Sequence, residues 1–140
     1  MAIMIGLVDI VAVLIAAVAS MVLGAFWYSP AGFGKKWMKL AGISDKNIEK
    51  HKGDMWKFYL TTFISAVITA YVIAALLKVT GAQSILEATG VAIFVWLGFV
   101  ATTTLGSVIW EQRPFELYLL NNSFTVVNYI IVTLILVLWP

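Results

Sequence analysis

Asn121, Thr125 and Asn128 recur at i, i+4 and i+7, a spacing that sets three side chains on one face of a helix. Asn122 and Ser123 stand beside them, and an earlier polar run joins Thr102, Thr103 and Thr104 to Ser107. These are neutral amides and hydroxyls that both donate and accept hydrogen bonds. They lie within long apolar stretches, where an unpaired amide costs several kcal/mol. Such a face has to look inward. It can bond one helix to another, or it can line a polar cavity for a small solute. Asn121, Asn122, Thr125, Asn128, Thr103 and Ser107 are the candidate polar intramembrane face. If Asn128 is buried in the bundle, Asn128→Leu is expected to lower stability; at a lipid-facing position it is expected to be tolerated.

Other chemistry is thin. Asp9, Glu111 and Glu116 fall near the ends of the apolar stretches, and no lysine or histidine falls at their middle. Proton relays and ion-coupled transporters usually carry such groups at depth, so a pump is not expected. Glu111 and Glu116 flank Pro114 with no defined geometry for acid–base work. There is no HExxH, no GxSxG and no phosphate loop, and the chain has no cysteine. His51, the one histidine, sits among lysines and reads as a solvated side chain. No catalytic residue, metal ligand set or cofactor is expected, and an enzyme is the less favoured class.

The elements that must position the polar face follow from composition. The chain has 140 residues, 62% of them hydrophobic and 11% charged, with a mean hydropathy of +0.99. Soluble domains run at about 45–50% apolar and about 25% charged. A soluble globule is excluded, and so is a disordered chain. A net charge of +2 is too small to suggest nucleic acid. Crossing a bilayer core of about 30 Å takes roughly 20 apolar residues in a helix. Four stretches qualify, at about 10–28, 58–77, 88–110 and 117–139. They predict a single integral membrane domain over 1–140, all-α, a four-transmembrane-helix bundle. Barrel strands would be shorter and would alternate in polarity. Ala17-Val18-Ala19 has the shape of a signal cleavage site, but no basic residue precedes it and Asp9 does. The segment therefore reads as a retained helix.

Basic residues set the orientation. Lys35, Lys36, Lys39, Lys46, Lys50, Lys52 and Lys57 lie between the first two stretches and Arg113 between the last two; Lys78 is alone on the other side. The positive-inside rule places loops one and three in the cytoplasm and both termini outside, in a multi-pass protein of a prokaryotic cell membrane. Trp27, Tyr28, Trp56, Tyr59, Trp110, Tyr118 and Trp139 fall near span ends, the level that amphipathic rings favour.

The first loop, residues 29–57, is expected to hold a short amphipathic interfacial helix. Phe33, Trp37 and Leu40 recur on one side, with Lys35, Lys36 and Lys39 between them. That pattern suits a helix lying at the lipid headgroups, rings down and ammonium groups near anionic lipid. Ser44 is placed to cap a second short helix. Rows of small residues, Ala12-Ala16-Ser20-Gly24 and Ala66-Ala70-Ala74, are candidates for close helix contacts, within the chain or in a homo-oligomer.

One turn is more specific. Trp27, Tyr28, Ser29 and Pro30, continued by Phe33, Gly34, Lys35 and Trp37, resemble the signature of an integral-membrane family of bacteria and archaea, domain of unknown function 1761. Trp96-Leu97-Gly98-Phe99 and the pair Asn121 and Asn122 resemble it more loosely. The resemblance runs over nearly the whole chain. It implies the fold and the membrane location, marks those eight residues as a candidate interfacial motif, and implies no activity. The expected roles, in order, are a structural or accessory bundle, an oligomeric carrier or channel for a small solute, and a membrane enzyme acting on a lipid or quinone. A dry core favours the first and a polar cavity at Asn121, Asn128 and Thr103 the second. A lateral opening at Trp27 and Tyr28 favours the third.

Overall fold

The computed structural model describes Gly6 and residues 8–140. Helix α1 spans Ile10–Trp27. Asp9 caps it: one carboxylate oxygen accepts from the backbone N–H of Val11 at 2.9 Å and of Ala12 at 3.2 Å, two of the donors that a helix start leaves unpaired. The first loop carries α2, Gly34–Ala41, and α3, Asp45–Lys50. Ser44 caps α3 as its position suggests, accepting from the N–H of Asn47. A short 3₁₀ turn then leads into α4, Met55–Thr80.

The third apolar stretch begins three residues earlier than its hydropathy suggests. Ser84 and Glu87 form a reciprocal capping box that starts α5 at Ile85. Helix α5 runs to Trp96 and then changes character. Leu97–Ala101 is π-helical, and two short pieces follow, α6 at Thr102–Thr104 and α7 at Gly106–Ile109. The expected span over 88–110 thus forms as one helical stretch, Ile85–Ile109, with a π turn and a short break inside it. The last element, α8, spans Phe115–Leu138 behind Pro114. Four stretches, Ile10–Trp27, Lys52–Thr80, Ile85–Ile109 and Phe115–Leu138, are long and apolar enough to cross a membrane.

Helix α8 is the hub. It packs against α1, α4 and α5, and α1 also packs against α4. The third stretch leans chiefly on α8 and only lightly on α4. The tightest packing joins Val13 and Ala16 of α1, Ala70, Ile73, Ala74 and Leu77 of α4, Ala88 of α5 and Val132 of α8. Small side chains there let backbones approach closely, which is how helices hold together in lipid. Ala12, Ala16 and Ser20 are buried, as are Ala70 and Ala74. The small-residue rows are therefore largely spent inside one protomer.

The half of α4 nearer the first loop is different. Its buried residues all lie between Ala70 and Leu77. Trp56, Phe58, Tyr59, Leu60 and Ile64 are each about half exposed or more, and Lys57, Thr61, Thr62 and Ser65 are exposed too. At 100° per residue these positions cover every side of the helix. That half stands off from the rest of the protein. Its hydroxyls turn back onto their own helix, Thr61 to the Lys57 carbonyl and Thr62 to that of Phe58.

Candidate functional site

The site is built where the third stretch stops being regular. A π-helical turn pairs i with i+5, which widens the helix and disturbs the bonding of its carbonyls. Side chains take up those carbonyls. Thr102 donates to the Gly98 carbonyl at 2.8 Å, Thr103 to that of Phe99 at 2.7 Å and Thr104 to that of Val100 at 2.7 Å. Tyr118 reaches across from α8 and donates to the Ala101 carbonyl at 2.7 Å. The run of threonines is thus the local partner set of the π turn.

Asn122 ties that region to α8. It is 5% exposed and fully engaged. Its Oδ1 accepts from the Trp96 indole at 3.2 Å, and its Nδ2 donates to Thr104 Oγ1 at 3.1 Å and to the Tyr118 carbonyl at 3.2 Å. Asn121, one residue back, bonds toward the turn after α1. Its Oδ1 accepts from Tyr28 Oη at 2.8 Å, while its backbone carbonyl accepts from Thr125 Oγ1.

Between these groups lies an open cleft of about 610 Å³. One wall is Val100, Thr103, Thr104, Gly106 and Ser107; the other is Leu117, Tyr118, Asn121, Asn122 and Thr125; Trp110, Glu111 and Arg113 stand at its mouth. Thr103, Ser107, Asn121, Asn122 and Thr125 of the expected polar face therefore share one cleft. Asn128 does not. It is half-buried, and its Oδ1 is enclosed with no hydrogen-bond partner. The loss of stability expected from Asn128→Leu rested on burial, which is only partial here, and its carbonyl has no hydrogen bond to lose.

The turn after α1 is a separate structure joined to the cleft through one bond. Phe33 N–H donates back to the Trp27 carbonyl at 2.7 Å, and Gly32 and Gly34 N–H both donate to the Ser29 carbonyl. Ser29 Oγ donates to the Phe26 carbonyl at 2.6 Å. The loop is so tight that a Cβ on Gly32 would strike the carbonyls of Phe26 and Trp27, and one on Gly34 those of Tyr28 and Ser29. Pro30 and Lys35 are exposed on its outside. Its rings pack on the protein itself: Trp27 on Phe33 at 4.9 Å between centroids, Tyr28 on Trp37 at 5.2 Å and on Phe124 at 5.3 Å. Phe33 remains 47% exposed, whereas Trp37 is half-buried against Tyr28. The ring face of α2 is directed at the end of α1 as well as outward. Lys36 pairs with Glu116 at 3.4 Å, which brings α2 to the start of α8. A hollow of about 210 Å³ lies there between Trp27, Phe33, Lys36 and Leu119.

Trp96, Thr104 and Tyr118 were not among the expected site residues. The threonine run and the tyrosine were visible in the sequence. Their bonding to a π turn had no signal in it, because hydropathy reads such a stretch as ordinary helix.

The class this defines is a small all-helical, multi-pass membrane protein with an open cleft, lined in part by hydroxyls and amides, built on a π-helical span. The chain belongs to the family described as protein of unknown function (DUF1761), whose profile matches residues 11–137. No curated protein and no solved structure matches it.

Proposed function

We propose that the protein is a membrane-embedded binding protein whose cleft holds the polar part of a ligand. One observation carries the reading. Hydroxyls and amides that sequence separates converge on a single open cleft of about 610 Å³, within the roughly 300–1,000 Å³ common for ligand pockets, while the packed centre beyond it is apolar. A purely structural role needs bonds between helices but no open space beside them. A channel needs a path beyond the midplane, and the cleft lining stops at Thr125. The lining has no nucleophile paired with a base, so binding is favoured over catalysis.

We further place this protein in the prokaryotic cell membrane with loops one and three cytoplasmic. On this reading the four spans gather as one bundle, α2 lies at the headgroups with its lysines toward anionic lipid, and the cleft opens to the cytoplasmic leaflet. The standing-off half of α4 supports a second arrangement, in which another copy completes the wall and makes a carrier.

Native mass spectrometry of the protein released from mild detergent tests the reading. The expected result is a discrete adduct on the wild type that Ser107→Trp and Thr103→Phe each remove. An adduct equally retained by both folded variants, or none at all, overturns it.

A further inference from the structure

We propose that the cleft takes the headgroup of an ammonium-bearing zwitterionic phospholipid, a phosphodiester held at Arg113 with its ammonium at Glu111. The proposal rests on the ligand-holding reading above and names the ligand class.

The mouth carries one cation and one anion, and neither is spent within the protein. The ion pairs among the described residues are Lys36–Glu116 and Lys57–Asp54; Glu111 and Arg113 are exposed and belong to neither. Their separation is built in. Gln112 between them takes a left-handed φ of 56°, and its amide donates to the Ile109 carbonyl at 3.0 Å. Arg113 N–H then folds back onto the Ser107 carbonyl at 3.0 Å. This kink sets both charges at the rim of the cleft without joining them. A guanidinium fits a phosphate by two parallel hydrogen bonds, and a carboxylate accepts from an ammonium group. A purely anionic headgroup would leave Glu111 unanswered and repelling. Trp110, 84% exposed beside them, is a ring of the kind found at the headgroup level.

Depth favours a lipid over a free solute. Thr125 lies ten residues beyond Phe115 (125 − 115), about 15 Å at 1.5 Å per residue, halfway through a core of about 30 Å. A ligand with its polar end at the rim would have to run down the cleft between two apolar helices. Asn121 Oδ1 is taken by Tyr28, which leaves Asn121 Nδ2 as a donor partway down the cleft. The cleft is open rather than enclosed, so a lipid held there by its headgroup can keep its acyl chains in the bilayer.

The test is retention of lipid by native mass spectrometry from nanodiscs of equal parts phosphatidylethanolamine, phosphatidylcholine and phosphatidylglycerol. The expected result is several-fold preference for phosphatidylethanolamine. Glu111→Gln should abolish the preference, and Arg113→Gln should cut retention of both zwitterions. Lys57→Gln, on the same face but away from the cleft, should change neither. Soluble phosphoethanolamine should not displace the lipid. Displacement by it would overturn the lipid source. Equal retention of all three lipids, unaffected by Glu111→Gln yet lost in Ser107→Trp, would overturn the headgroup assignment and leave the cleft reading intact. Retention insensitive to Ser107→Trp and Thr103→Phe as well would overturn both.

Discussion

Tyr28 Oη donates to Asn121 Oδ1 across 2.8 Å, joining two residues 93 apart in the chain. The bond ties the turn after the first span to the polar cleft between the third and fourth. It also fixes the rotamer of Asn121, so that one of its two polar atoms is already spoken for. Tyr28→Phe and Asn121→Leu should each lower thermal stability in detergent by a similar small amount, near the average of about 0.6 kcal/mol for such bonds in membranes. The double variant should lose little more than either alone. Fully additive losses in that cycle would mean that the two side chains do not act together.

Asn122 is the most heavily bonded side chain of the site. Asn122→Leu leaves the Trp96 indole without its acceptor, and removing one partner of a buried bond costs about 1–3 kcal/mol. Trp96→Phe should recover part of that loss when combined with it, because it removes the stranded donor. Thermal unfolding followed by tryptophan-independent probes reads both effects.

Asn128 is expected to behave in the opposite way. Its enclosed carbonyl has no partner, so a leucine of similar size removes a desolvation cost and loses no bond. Asn128→Leu should leave the melting temperature unchanged or raise it. A clear fall would reveal a partner for that carbonyl in the membrane.

The turn gives a sharper contrast. Gly32→Ala and Gly34→Ala both drive a methyl group into backbone carbonyls that cannot move aside, and crowding of that kind costs about 1–3 kcal/mol. Gly53→Ala meets nothing within 4 Å and should be silent. Folded yield and thermal stability of the three variants should separate them cleanly.

Topology can be read in cells. With Lys35 to Lys57 and Arg113 inside, a phosphatase reporter active only in the periplasm and fused after Pro140 should be active. A reporter active only in the cytoplasm should work in the first loop. Exchanged signals would reverse the orientation assigned to the cleft.

Much of this was legible in the residues. Runs of apolar side chains between charged loops gave four spans to within a few positions, because crossing lipid is a demand on length and polarity alone. Ser44 was legible as a cap for the same local reason. The polar face was legible as a set, since amides in hydrocarbon must find company, and Thr103, Ser107, Asn121, Asn122 and Thr125 did converge. Asn128 shares their helical register, yet register says nothing of what stands opposite. The π turn at Leu97–Ala101, the partnership of Trp96 with Asn122, and the lean of the third span on the fourth are properties of packing between distant segments. So is the inward set of Trp37. Its amphipathic spacing was equally consistent with a ring in lipid and a ring on Tyr28.

The standing-off half of α4 has a consequence for the host bilayer. Four helices gather closely where Ala70 to Leu77 pack, and α4 alone stands off where Trp56 to Ile64 are exposed. With the spans placed as proposed, a helix that stands off at one end makes a wedge, broader in one leaflet than in the other. A wedge displaces unequal numbers of lipids from the two leaflets, so its insertion energy depends on membrane curvature and on the lateral pressure profile. Relaxing stretched lipid on the broad side favours residence where that leaflet is expanded. Such a shape would make a protein responsive to bending of the sheet in which it sits.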